Sequence, residues 1–190
     1  MKVGLFFGSF NPIHIGHLII ANHMIDYSDI DELWFIVSPQ SPFKQKNSLL
    51  GEYDRLHLVH TAIEDNNKLR ASNIEFSLPR PSYTIDTLTY IKEKHPLNDF
   101  VLIMGSDNLL NFYKWKNYEI ILKEHEIYVY NRPEIIKTDI FNHEKVKLLS
   151  APMLNISSSY IRKCIKRGLS IKYLVPDKVL VQIENSSFYQ

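Results

Sequence analysis

A chain of 190 residues holds one well-cored domain and is short for two. With 45% apolar residues, 23% charged residues and a formal net charge of +1, it is composed like a globular protein and presents no global field for nucleic acid or an anionic membrane. A single cysteine, Cys164, excludes an intrachain disulfide, and no apolar run approaches the roughly 20 residues needed to span a bilayer. The first residues carry no secretory pattern. The expectation is one soluble cytoplasmic domain over 1–190, with no nucleic-acid or membrane partner.

In chain order, an apolar run predicts a strand over 2–7, closed by the turn Gly8-Ser9-Phe10-Asn11-Pro12. A helix over 16–27 follows, with Leu18, Ala21 and Ile25 on one face. A second strand is expected over 32–38, then a surface loop over 39–51 that carries Lys44 and Lys46. Leu56, Val59 and Ile63 repeat at helical spacing before a strand over 69–75. Ile85, Leu88 and Tyr90–Ile91 mark the next helix, and strands over 100–104, 126–130 and 145–149 complete the set. The stretch 131–144 reads as a second surface loop. Ile161, Cys164 and Ile165 share a helical face, and Pro176 opens a last helix with Val179, Leu180 and Ile183 inward. This alternation predicts an α/β fold: a Rossmann-like, doubly wound parallel sheet with helices on both faces and a C-terminal helical segment.

Open parallel sheets bind ligands beyond the carboxyl ends of their strands. The unusual residues cluster there: 8–17 after the first strand, 39–46 after the second, 78–84 after the third, 105–107 after the fourth and 131–133 after the fifth. Gly8 permits a tight turn, and Ser9 and Asn11 supply polar groups. His14-Ile15-Gly16-His17 puts two imidazoles at the mouth of a helix, where backbone N–H groups and the helix dipole favour an anion. Imidazole donors there can stabilise charge building on phosphate oxygens. A zinc pair is the competing use of two histidines at this spacing, but no third ligand accompanies them at a sensible interval.

Ile156-Ser157-Ser158-Ser159-Tyr160-Ile161-Arg162 opens another helix with three hydroxyls and an arginine one turn in. It reads equally as a second phosphate cradle and as a plain N-cap. Lys44 and Arg132 are candidate phosphate ligands, and Asp107, after Gly105, a candidate ribose acceptor. Trp115 offers a face for stacking an aromatic ring. No nucleophile-and-base pair is evident, which points to direct displacement by positioning and charge stabilisation.

Taken together, these segments resemble the His-x-Gly-His nucleotidyltransferases, and among them the bacterial nicotinate mononucleotide adenylyltransferases. The resemblance runs through Gly8–Pro12 and His14–His17, Pro42-Phe43-Lys44, Pro81-Ser82-Tyr83-Thr84 with Thr87-Leu88, and Gly105-Ser106-Asp107. It continues through Trp115, Asn131-Arg132-Pro133, Ile156-Ser157-Ser158 with Ile161-Arg162, and Leu174-Val175-Pro176. It departs at Phe7, where the family usually has a second glycine, and at Phe43, where the loop usually has a histidine.

The resemblance implies adenylyl transfer from ATP to nicotinate mononucleotide, giving nicotinate adenine dinucleotide and pyrophosphate in NAD biosynthesis. It implies that His14 and His17 stabilise the transition state and that Arg162 with Ser157 and Ser158 holds the ATP phosphates. Gly105 and Asp107 would contact the adenosine, and Gly8, Ser9, Phe10, Gly16, Arg132 and Ile156 would complete the ATP site. Asn11 and Lys44 would contact the mononucleotide, Trp115 would stack on its pyridine ring, and Tyr83 with Thr84 would set backbone donors at its carboxylate. Mg²⁺ would be carried mainly by the triphosphate. The rival acceptors are nicotinamide mononucleotide and phosphopantetheine; the latter has no ring for Trp115. A synthetase fragment would share the His-x-Gly-His segment but lacks a Lys-Met-Ser-Lys-Ser-like stretch, and a nucleotide-binding regulator would not need both histidines. A homo-oligomer is compatible with the chain.

Overall fold

The computed structural model describes residues 1–39, 49–131, 138–152 and 154–190. Six strands form one sheet: β1 (Lys2–Gly8), β2 (Glu32–Val37), β3 (Leu69–Ser72), β4 (Asp99–Gly105), β5 (Ile127–Tyr130) and β6 (Val146–Leu149). Their order is β3-β2-β1-β4-β5-β6 and every neighbouring pair is parallel. The helices are α1 (Ile15–Tyr27), α2 (Glu52–Ile63), α3 (Thr84–Lys94), α4 (Ser106–Leu110), α5 (Tyr118–Glu124), α6 (Ser158–Lys166) and α7 (Asp177–Glu184).

The four inner strands, β2, β1, β4 and β5, are buried on both faces, so their side chains alternate between two apolar layers. Along β4, Val101 and Ile103 pack with α1, α2, α6 and α7. Phe100, Leu102 and Met104 pack with α3, α4 and α5 on the other side. The doubly wound arrangement expected from strand–helix alternation is therefore the one present.

The strand expected over 69–75 stops at Ser72. Ser72 Oγ accepts the Ile74 N–H at 3.3 Å, and the Phe76 N–H donates to the Asn73 carbonyl at 2.9 Å. These local bonds draw the chain out of the ladder into a 3-10 turn, Ile74–Ser77, which tucks Glu75 inside. The stretch expected as loop over 131–144 contains another 3-10 turn, Asp139–Asn142, whose Phe141 is buried in the core. The other strand ends agree with expectation to within a residue or so.

From β1 the chain winds outward through β2 and β3, and from β4 it winds the opposite way through β5 and β6. The crevice at this reversal lies between the carboxyl ends of β1 and β4, Gly8 and Gly105. Among the described residues no helix is long and apolar enough to cross a membrane.

Candidate active site

The turn after β1 is built around a buried aromatic ring. Phe10 adopts φ +42° and is buried against Phe6, Phe35 and His17, with ring centroids 5.9, 5.3 and 5.1 Å away. A Cβ on Gly8 would sit 2.7 Å from Phe10 Cζ, so only glycine lets strand and ring approach this closely. The Phe10 side chain thus supports the site from below, and what it can offer a nucleotide is its backbone.

His14 caps α1 from an extended conformation, φ −150° and ψ 168°, and its ring stacks on His17 with centroids 3.6 Å apart and planes 21° from parallel. Gly16 makes room for this fold-back, because a Cβ there would meet His14 Nδ1 at 3.1 Å. The His14 N–H donates to His17 Nδ1 at 3.3 Å. An accepting Nδ1 assigns the proton of a neutral His17 ring to Nε2.

The serine-led helix α6 docks directly onto this turn. Ser158 Oγ–H donates to the Pro12 carbonyl at 2.8 Å, and Arg162 Nη1 donates to the Asn11 carbonyl at 2.7 Å. Ser157 is the N-cap, its Oγ accepting the Tyr160 N–H at 3.1 Å. Ser157 closes the helix, while Ser158 and Arg162 join its N-terminus to the histidine turn. Ile156 packs partly buried against the core just before the cap.

Across the crevice, Gly105 ends β4 and caps α4, which places Asp107 in the first turn and buries Ser106. A third group assembles near α3. Tyr83 caps α3 and Thr84 is its first residue. Lys116, next to Trp115, lies 4.8 Å over the Tyr83 ring and pairs with Asp86 at 2.9 Å. Trp115 itself leans on Phe112, centroids 5.3 Å apart, and is partly buried. The Tyr83–Thr84 and Trp115 segments are thereby neighbours. Lys44 and Arg132 lie outside the described residues.

Two buried ionisable residues escaped the sequence reading. Arg55 is 0% exposed and spends its guanidinium on backbone carbonyls: Nε on Leu50 at 2.9 Å, Nη1 on Ser9 at 2.6 Å and Ser38 at 2.9 Å, and Nη2 on Pro39 at 3.3 Å. It ties the turn after β1 to the end of β2 and to the start of α2, and burial lowers its pKa. Its sequence signal was an arginine on the helical face of Val59 and Ile63. Glu75 is 2% exposed, and burial pushes its carboxyl above the usual range while the Thr87, Ser38 and Ser82 hydroxyls pull it back. Nothing in a strand-like pattern marks it.

A model of the cytidylyltransferase-like family matches residues 5–164. A probable nicotinate-nucleotide adenylyltransferase of Cytophaga hutchinsonii is 54% identical over 189 residues, 100% of this chain and 98% of the relative. The chain belongs to the nicotinate-nucleotide adenylyltransferases of the cytidylyltransferase-like family. The protein of the same description from Flavobacterium psychrophilum is 52% identical over 192 residues, with both chains fully covered. The nicotinic acid mononucleotide adenylyltransferase of Plasmodium falciparum, solved as a complex with NaAD, superposes with a TM-score of 0.83 at 25% identity, covering 99% of this chain and 97% of that one. The histidine turn, the α6 N-terminus and the β4 end all lie at the carboxyl end of the sheet, at its reversal.

Proposed function

We propose that this adenylyltransferase transfers adenylate from ATP to nicotinate mononucleotide through His14, His17 and Arg162, within one catalytic domain over 1–190. The observation that carries the reading is the junction of α6 with the histidine turn, where Arg162 and Ser158 bond to the Asn11 and Pro12 carbonyls beside the stacked imidazoles. Two helix N-termini that each favour an anion thereby meet at one site.

In the reaction, a phosphate oxygen of the mononucleotide attacks the α-phosphorus of ATP. The new P–O bond forms as the bond from the α-phosphorus to the bridging oxygen breaks, and pyrophosphate leaves with the electron pair. No covalent enzyme intermediate is needed. His17 Nε2–H and the His14 ring donate to the phosphate oxygens on which charge builds, and the first N–H groups of α1 add the helix dipole. Arg162, with Ser157 and Ser158, holds the β- and γ-phosphates so that the leaving group is already neutralised. Gly105 and Asp107 meet the adenosine, and Gly8, Ser9, Phe10 and Gly16 line the approach through backbone and space rather than charge. Asn11, Lys44 and Arg132 complete the phosphate contacts. On the other side, Trp115 stacks on the pyridine ring, and the first N–H groups of α3, at Tyr83 and Thr84, face its carboxylate.

Among the described residues no group of three or more His, Cys, Asp or Glu side chains is placed to hold a metal ion. Mg²⁺ carried by the ATP triphosphate would supply charge neutralisation there.

Incubation with ATP, Mg²⁺ and nicotinate mononucleotide should yield pyrophosphate and the dinucleotide in equal amounts. His17→Ala should lower kcat by about 10²- to 10³-fold, the cost of one transition-state donor, with only a small fall in thermal midpoint from the lost bond to the His14 N–H. Unchanged turnover would remove His17 from the mechanism.

A further inference from the structure

Glu75 lies at the same end of the sheet as the crevice, buried beneath the segment that opens α3. Its Oε1 accepts the Thr87 hydroxyl at 2.8 Å; its Oε2 and the Ser82 hydroxyl are buried without a hydrogen-bond partner among the described residues, and Ser38 and Ser82 are its other polar neighbours. Each of these three residues belongs to a different part of the pocket wall. Thr87 is in the first turn of α3, 0% exposed, and its hydroxyl also lies 3.4 Å from the Tyr83 carbonyl. Ser82 directly precedes Tyr83 and is buried. Ser38 follows β2; its carbonyl accepts Arg55, and its N–H donates to the Gly8 carbonyl at 2.9 Å. One carboxyl therefore bonds the first turn of α3 through Thr87, whose hydroxyl also reaches the Tyr83 carbonyl.

We infer that Glu75 is a positioning residue for the carboxylate end of the mononucleotide: through Thr87 it fixes the backbone donors at Tyr83 and Thr84 without touching substrate. The inference rests on the assignment of Tyr83 and Thr84 to the pyridine carboxylate. Its physical basis is the cost of leaving these groups unpaired. The Thr87 hydroxyl and the Glu75 carboxyl are both buried, and the bond that pairs them has one geometry. That geometry sets the direction of the α3 N-terminus. A pocket wall held this way discriminates an acid, which needs only donors, from an amide, which also presents N–H groups.

The test is steady-state kinetics of the whole enzyme with ATP and either nicotinate or nicotinamide mononucleotide. Glu75→Ala should raise KM for nicotinate mononucleotide by about tenfold or more, as expected when a binding wall shifts by a fraction of an ångström. KM for ATP should stay within about twofold, and the preference for acid over amide should shrink. Glu75→Gln, similar in size and still able to accept from Thr87, should restore KM to near the wild-type value. Thr87→Val should move the same constant in the same direction, and it carries the test if Glu75→Ala does not fold. A parallel rise of both KM values overturns the inference, as does a Gln variant no better than Ala. Equal use of acid and amide by the wild type overturns the carboxylate assignment itself. A wild-type preference for the acid that survives intact in Glu75→Ala overturns the role of Glu75 alone.

Discussion

Arg55 illustrates how a charge can be used as a backbone clamp. An arginine at zero exposure is costly, because desolvation alone disfavours the cation and lowers its pKa. Here the cost is offset by four carbonyls, from Ser9, Ser38, Pro39 and Leu50, which meet the planar fork from three segments. Those segments would otherwise bring their carbonyls to a dry site without donors. Arg55→Met keeps much of the length and removes every donor. The expected loss is about 3 kcal/mol or more, the cost of breaking a buried charged network, read as a lower urea midpoint. Because Ser9 sits beside the histidine turn, KM for ATP should rise even where the variant is fully folded. A variant with wild-type midpoint and wild-type KM would mean that the carbonyls find other donors. Lysine should not rescue, since one ammonium cannot reach all four.

At the scale of elements, α6 has two jobs that two adjacent serines divide. Ser157 Oγ accepts the Tyr160 N–H, a bond internal to the helix, whereas Ser158 Oγ donates to Pro12, a bond to another element. Ser157→Ala should therefore cost about 1 kcal/mol of stability, as loss of an N-cap does, with a modest effect on kinetics. Ser158→Ala should cost less stability and raise KM for ATP, because the helix carrying Arg162 loses one of its ties to the turn. The reverse pattern in paired denaturation and kinetic measurements would exchange the two roles. This division also marks where the sequence stopped being legible. The strand–helix alternation, the apolar faces and the clustering of polar loops at the strand ends are carried by period and composition, and the six strands follow them. The 3-10 turn at Ile74–Ser77 is not, because it depends on the Ser72 side chain competing with the ladder. Arg55 and Glu75 were hidden for a related reason: their roles are set by what surrounds them in space, from segments far apart in the chain. Phe10 read as a nucleotide contact from its motif, yet its positive φ folds the ring into the core.

Across the whole molecule, the crevice and the main charge cluster sit at opposite ends of the sheet. At the amino end, Lys2 Nζ meets Asp29 Oδ2 at 2.8 Å, the Tyr128 hydroxyl at 3.0 Å and the Glu126 carboxylate. The Tyr128 hydroxyl donates to Asp29, and Lys147 lies 3.9 Å from the same carboxylate. The cluster links the first residue of β1 to β5, β6 and the turn after α1. The Lys2 and Tyr128 bonds hold the Asp29 carboxyl down at about 2, below its ordinary 3.8. A carboxyl with a depressed folded-state pKa stabilises the fold above its unfolded value and loses that contribution as pH falls through the folded one. The window here is from about pH 4 down to about 2. Asp29→Asn cannot titrate, so its thermal midpoint should fall less steeply than that of the wild type across this window. Asp29 is 57% exposed on its side chain, so solvent and salt screen the pair, and the difference should be larger at low ionic strength. Because the cluster is a full strand length from Gly8, kcat at neutral pH should be the same in both proteins. Superimposable acid profiles of the midpoint would show that the cluster does not couple to folding. A loss of kcat at neutral pH would show instead that the two ends of the sheet are not independent.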